Sequence, residues 1–271
     1  MKRTVFFISD GTAITAETLW HSLITQFPGV EFKQVRMPFV DSEMACLDAV
    51  RAIDEACDRD DAPALVFNTV VNAQLCEIIG TSKGVILDLF ATFLAPLEEA
   101  LGVSHQPTVG QAHGVSNFDR YEDRMDATNY AMNHDDGVSV DFKEADLILV
   151  GVSRCGKTPT CLYMALHYGV KAANYPLTPE DLDEMRLPHF LRRYKYKLVG
   201  LNIEPDRLAQ IRETRKPGSR YASLRQCRQE VEAADSLLRM EGVPMFETTR
   251  SSIEEISSRV LLQLGLQREM F

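Results

Sequence analysis

The sequence predicts an α/β protein of two units, each built on a parallel sheet. Three observations carry this prediction. Short apolar runs alternate with helical patterns through residues 4–101, the rhythm breaks over residues 103–140, and it restarts at Leu147. At 271 residues the chain has room for about two domains of ~150 residues each. We expect a first α/β unit over residues 1–105, a connecting segment over 106–140 and a second unit over 141–271.

Residues 4–8 are β-branched and aromatic and read as the first strand. A helix follows, with Ala16, Leu19, Trp20, Leu23, Ile24 and Phe27 on one face and Pro28-Gly29 as its stop. Residues 32–40 read as a strand, and Cys46, Val50, Ile53 and Cys57 recur at helical spacing. Strands at 64–68 and 85–89 alternate with a short helix ending at Gly80 and another over 92–101. Pro107, Gly110, Gly114 and the Ser116-Asn117 pair predict a long loop, followed by a helix near 119–132. In the second unit, strands are expected at 147–150, 172–175, 198–203 and 245–247. Helices are expected up to His167, from Pro205 through Leu208 and Ile211, and along the stripe Leu224, Cys227, Val231, Ala234 and Leu238. Ser252 and Glu255 predict a capping box on a last helix carrying Ile256, Val260 and Leu264.

Composition narrows the function classes. With 45% apolar and 25% charged residues the chain is too apolar to be disordered. No apolar run approaches the ~20 residues of a membrane span, and Ser9-Asp10-Gly11 ends the opening run too early for a signal peptide. The six cysteines form no C-x-x-C pair and the histidines no H-E-x-x-H, so the cysteines read as buried thiols of a cytoplasmic protein. The net charge of −10 argues against nucleic acid as a partner. Residues 1–140 carry 9 basic and 21 acidic side chains and residues 141–271 carry 20 and 18, so anionic ligands should prefer the second unit.

The strongest chemical signal is Gly151-Val152-Ser153-Arg154-Cys155-Gly156-Lys157-Thr158, a complete G-x-x-x-x-G-K-[ST] string. Average residue usage gives such a string by chance roughly once in a hundred chains of this length. It follows an apolar strand and opens a helix, as a phosphate-binding loop must. The glycines let main-chain N–H groups curl round a phosphate, and the helix N-terminus adds partial positive charge. Lys157 is placed to reach the terminal phosphate and the Thr158 hydroxyl to hold Mg²⁺. Pro159 falls in the first helical turn, where its missing N–H has no helical partner to lose. The first unit therefore reads as Rossmann-like and the second as a phosphate-loop kinase-like domain.

This string with Pro159-Thr160, joined to His134-Asp135-Asp136-Gly137 and to Ser9-Asp10-Gly11-Thr12, resembles one family. It is similar to the bacterial regulatory proteins of phosphoenolpyruvate synthase, relatives of the pyruvate, phosphate dikinase regulatory proteins. The likeness runs over nearly the whole chain, including residues 5–11 and Gly200-Leu201-Asn202-Ile203 with Arg207, Arg212 and Arg215. The resemblance implies a bifunctional serine/threonine enzyme. As a kinase it uses ADP to phosphorylate a threonine of its target; as a phosphorylase it uses inorganic phosphate to remove that group, releasing pyrophosphate. The target is phosphoenolpyruvate synthase or the dikinase, the opening segment favouring the synthase. Cys155 departs from the Thr or Ser that relatives often carry, at a position that contributes mainly its backbone N–H.

Such chemistry needs a proton acceptor for the threonine. The candidates are Asp135 and Asp136, with Asp136 favoured, alongside Lys157. The alternative is an Asp-Asp-Gly turn whose side chains cap backbone groups. Asp88 and Asn202 end apolar strands as a second metal ligand would, although a plain strand-end role explains Asp88 as well. Arg154 is placed to touch phosphate, and Lys171 reads as a solvated strand-start residue or a phosphate neutraliser. The basic runs Arg192-Arg193-Tyr194-Lys195 and 212–228 fit a lid, a docking face or plain solvated surface. Ser9-Asp10-Gly11-Thr12 fits a ligand-binding turn or helix capping by Asp10 or Thr12. A small-molecule kinase and a non-catalytic nucleotide sensor remain open, and a homodimer is the default assembly.

Overall fold

A computed structural model describes residues 2–106 and 118–266. The chain divides into two compact units, residues 1–116 and 117–271. The expected loop around Pro107, Gly110, Gly114 and Ser116-Asn117 lies outside the described residues.

The first unit holds β1 (Lys2–Ile8), α1 (Ile14–Ile24), β2 (Glu31–Met37), α2 (Glu43–Asp60), β3 (Leu65–Asn68), α3 (Ala73–Ile79), β4 (Val85–Asp88) and α4 (Leu89–Leu101). Its four strands are parallel, in the order β2-β1-β3-β4. Strand alternation divides β1 between two cores. Val5 and Phe7 pack with Trp20 and Phe67 on the α1 side, while Phe6 and Ile8 pack with Ile53, Val66 and Ile79 beneath α2 and α3. Trp20 is accordingly buried, in edge-on contact with Phe32 and Phe67.

Helix starts in this unit follow cap chemistry. Ser42, Asn72 and Asp88 accept hydrogen bonds from the first turns of α2, α3 and α4. Asp88 thus caps α4 and also accepts from Asn68 Nδ2, the strand-end reading of this residue. Two expectations fail here. Helix α1 stops at Ile24, where Thr25 caps it and turns its hydroxyl to Ser22 O. Phe27 thus falls beyond the helix and is exposed, and Leu23 within the helix is exposed as well. Neither Asp10 nor Thr12 caps α1; its N-cap is Ala13, and Asp10 instead accepts a 2.7 Å bond from Val71 N, tying the ends of β1 and β3.

The second unit holds α5 (Phe118–Asn133), β5 (Leu147–Gly151), α6 (Lys157–Tyr168), β6 (Ala172–Pro176), α7 (Pro179–Glu184), α8 (His189–Arg192), β7 (Leu198–Asn202), α9 (Pro205–Arg215), α10 (Leu224–Met240), β8 (Met245–Glu247) and α11 (Ile253–Gln263). Single 3₁₀ turns lie at Lys195–Lys197 and Arg220–Ala222. The sheet is again parallel, in the order β6-β5-β7-β8. Leu147 to Val150 are all fully buried, as expected of a central strand covered on both faces. Helix α6 packs against both α5 and α11, and α10 packs on α9 and β7. Cys227, Val231, Ala234 and Leu238 bury the predicted stripe of α10.

The pattern did not announce α7 and α8, which are short and begin at prolines; Thr178 and Asp181 form a capping box on α7. The Ser252 cap of α11 forms, but Glu255 turns to Arg259 rather than completing a box. All six cysteines are free thiols, five buried and Cys76 half-buried. Among the described residues no helix is long and apolar enough to cross a membrane, and no three His, Cys, Asp or Glu side chains cluster as a metal site.

Candidate active site

In the second sheet the chain leaves β5 for β6 on one side and returns to β7 on the other. This reversal opens a crevice at the carboxyl ends of β5 and β7, where ligands of open α/β sheets bind. The Gly151–Thr158 loop fills that position, between the end of β5 and the start of α6. Two glycines make it possible. A Cβ on Gly151 would stand 2.4 Å from Leu201 O of β7, so any side chain there pushes apart two paired strands. Gly156 has φ 100°, open to glycine and strained for other residues. Gly151→Ala should therefore lower unfolding stability in urea by at least about 2 kcal/mol, as backbone overpacking does.

Lys157 is buried beneath the loop, its Nζ donating to Val152 O at 3.0 Å and Gly151 O at 3.3 Å. The ammonium is thus held at the loop with its hydrogens shared between main-chain carbonyls. Val152 and Cys155 face the core, and burial pushes the Cys155 thiol up from its ordinary pKa, keeping it neutral. The loop's far side is tied by Thr248, whose hydroxyl lies 3.0 Å from Cys155 O and 2.9 Å from Asn202 O. Arg154 is exposed at the crest with φ 75°.

Asp135 and Asp136 reach this loop from a different strand edge. After α5 the chain runs beside β6: Asn174 donates its N–H to His134 O, and Gly137 donates to Asn174 O. Asp136 and Gly137 both have positive φ, and Val138 N closes the turn on Asp135 O, the pattern of a type I′ turn. The turn reading is therefore right for the backbone but not for the side chains. Thr158 Oγ1 donates to Asp135 Oδ1 at 2.7 Å, and the buried Asn174 amide donates to the same oxygen while its own carbonyl accepts from Asp136 N at 3.1 Å. Asp136 lines a cavity with Ser153, Arg154, Gly156, Lys157, Thr158 and Pro159.

A second cavity opens on the other flank of Arg154 and Gly156. It is lined by Ile203, Ile211, Ile253 and Ile256 together with Arg207 and the Thr248-Thr249 pair. The loop thus separates a small polar cavity holding a carboxylate from a cavity with apolar walls and an arginine.

Over these residues and most of the chain, positions 5–261 match the model of the kinase/pyrophosphorylase family. The chain belongs to that family. Relatives provisionally named phosphoenolpyruvate synthase regulatory proteins match it end to end. One from Stenotrophomonas maltophilia R551-3 is 54% identical over 99% of this chain and 98% of its own. Others from Xanthomonas oryzae MAFF 311018 and Pseudomonas aeruginosa UCBPP-PA14 are 51% and 49% identical over the same shares. The family's description implies the handling of phosphoryl groups, and this chain gathers Lys157, Thr158, Asp135 and Asp136 around one loop.

Some of the remaining candidates lie away from the loop. Lys171 lies at the opposite end of β6, paired with Asp126 at 3.1 Å and Glu144 at 3.6 Å. Asn202 accepts from Ile203 N and donates to Asp235. Arg192, Arg193 and Lys195 precede the start of β7, away from the loop. Within the run 212–228, Arg212 alone among the arginines is buried.

Sequence reasoning missed Asn174 and Thr248. A lone Asn inside the apolar run Ala172-Ala173-Asn174-Tyr175 was the readable signal, because a buried amide must find partners. Asn174→Ala should cost about 1–3 kcal/mol by leaving those groups unpaired. It should also slow turnover while nucleotide affinity stays within a few-fold, measured by urea unfolding and steady-state kinetics.

Proposed function

We propose that this chain is an ADP-dependent serine/threonine protein kinase and a phosphate-dependent phosphorylase, acting on a threonine of phosphoenolpyruvate synthase. The observation that carries the reading is the Thr158–Asp135 hydrogen bond at 2.7 Å with Asp136 on the adjoining cavity wall. It sets a carboxylate pair against a loop spelled to cradle phosphate. The family description, which joins kinase and pyrophosphorylase, and the names of the relatives support the same reading.

In the kinase direction the β-phosphate of ADP rests on the loop amides and Lys157, with the nucleoside in the cavity of Ile203, Ile211 and Arg207. The threonine oxygen attacks the β-phosphorus, the bond to the α-phosphate bridge breaks, AMP leaves, and Asp136 takes the hydroxyl proton. In the other direction orthophosphate occupies the loop and its oxygen attacks the phosphothreonine. The bond to the threonine oxygen breaks, pyrophosphate leaves, and the proton of the attacking hydrogen phosphate passes through Asp136 to the threonine oxygen. Phosphoryl transfer is mostly positioning and charge neutralisation, so one cradle serves both directions.

The Thr158 hydroxyl and the Asp135 carboxylate are hard oxygen donors at one point, which fits Mg²⁺ bound by one or two side chains plus substrate phosphates. Bound there, Mg²⁺ would neutralise phosphate charge. Asn174 keeps Asp135 aimed at that point.

The test is incubation of the full chain with purified phosphoenolpyruvate synthase and β-labelled ADP or γ-labelled ATP, with the dikinase in parallel. Label should enter a synthase threonine from ADP, and unlabelled phosphate should then release labelled pyrophosphate. Transfer only from ATP to a small metabolite, or nucleotide binding without turnover, overturns the reading.

A further inference from the structure

Arg212, in the last turn of α9, is fully buried and is the largest such side chain among the described residues. Burying a guanidinium is expensive, and an apolar residue of similar size often serves stability as well. Its partners indicate another use. Nη2 donates to Ser153 O of the phosphate loop at 3.0 Å and to Glu230 Oε2 of α10 at 2.7 Å. Nη1 donates to Tyr221 O at 3.2 Å, and the guanidinium stacks 4.1 Å from the Tyr221 ring centroid. The Tyr221 hydroxyl in turn lies 3.1 Å from Ser153 Oγ. Ser153 is thus held twice, by its carbonyl and by its hydroxyl.

We propose that Arg212, with Tyr221, is a positioning residue that fixes the orientation of the Ser153–Arg154 peptide in the phosphate loop. Among the described residues no peptide bond is cis, and in a trans peptide the C=O and the next N–H point opposite ways. Drawing the Ser153 carbonyl inward turns the Arg154 N–H outward, to the side where Ser153 and Arg154 line the polar cavity. The same hold stabilises Arg154 at φ 75°, a conformation that non-glycine residues keep only where the surroundings over-determine it. Released from the clamp, this peptide is free to flip and present a carbonyl to the ligand, replacing an attractive dipole by a repulsive one. The inference rests on the proposed reading only for its ligand class, a phosphate or diphosphate.

The probe is pyrophosphate, titrated calorimetrically into the full chain without any target protein. Arg212→Lys keeps the charge and the Glu230 pairing but has one nitrogen where the guanidinium uses two, so it cannot span Ser153 O and Tyr221 O together, and pyrophosphate affinity should fall about tenfold. Tyr221→Phe keeps the ring and removes only the hydroxyl, and should fall about threefold at an unchanged melting temperature. In turnover assays of Arg212→Lys, the KM values for ADP and for phosphate should rise by one common factor while kcat stays within twofold. A merely structural role would not produce that split. In the wild type, the Arg154 amide resonance should move on adding pyrophosphate. Variants that fold and bind pyrophosphate within twofold of wild type overturn the inference, as does an unmoved Arg154 amide. If Arg212→Lys does not fold, Tyr221→Phe and the amide resonance decide. A wild type that binds pyrophosphate yet phosphorylates no protein would defeat the functional reading and leave this one standing.

Discussion

Asp136→Asn should retain ADP binding and lose both directions of turnover, by a factor between about 10² and 10⁴, the usual worth of a general base. The substitution is clean for a structural reason. Asp136 sits at φ 47°, and Asn is among the few residues that accept this left-handed conformation. The turn should therefore survive, and with it the bond from Asp136 N to Asn174. What disappears is the only proton-accepting carboxylate on the wall of the polar cavity, as lined by the described residues. Calorimetry with ADP and single-turnover assays in each direction separate binding from chemistry. Preserved activity in either direction would show that the two reactions do not share this base.

Lys157→Met should slow phosphoryl transfer at least about a hundredfold, the scale seen when one charge-stabilising donor is removed from a transition state, and should also weaken ADP binding. Methionine fills much of the buried slot, so packing changes little. The carbonyls of Gly151 and Val152 lose their shared donor, which should lower the melting temperature by a few degrees. The loss of binding should far exceed that change in stability. A variant that melts lower yet binds ADP normally would mean that the ammonium only props up the loop. Lys157→Arg offers no rescue, because a planar guanidinium does not fit a site shaped by two neighbouring carbonyls.

The parts of the protein that were legible in sequence are those set by local spacing. Alternating apolar runs announced both parallel sheets, because strands covered on two faces must be apolar throughout, as residues 147–150 are. The Gly151–Thr158 string announced its own backbone, since Gly151 answers the approach of Leu201 O and Gly156 a positive φ. The illegible parts depend on contacts distant in sequence. Nothing local says that Asp135, 23 positions before Thr158, shares a hydrogen bond with it, or that Asn174 joins the two aspartates. Arg212 was visible only as one of several arginines. Its place four residues after the buried Leu208, on the inner face of α9, was the overlooked sign. Short helices such as α7 and α8 escaped because four to six residues give too few turns to register a period.

The segment that delivers the two aspartates has a second effect. Strand β6 is the outermost member of its sheet, and an outermost strand offers unpaired main-chain groups to any passing chain. Residues 134–137 occupy that flank through Asn174, so the acidic turn also acts as a guard against strand-to-strand clumping. Loss of the turn would then be read twice, as a silent enzyme and as a precipitating one. On the proposed reading, solubility and turnover depend on the same four residues.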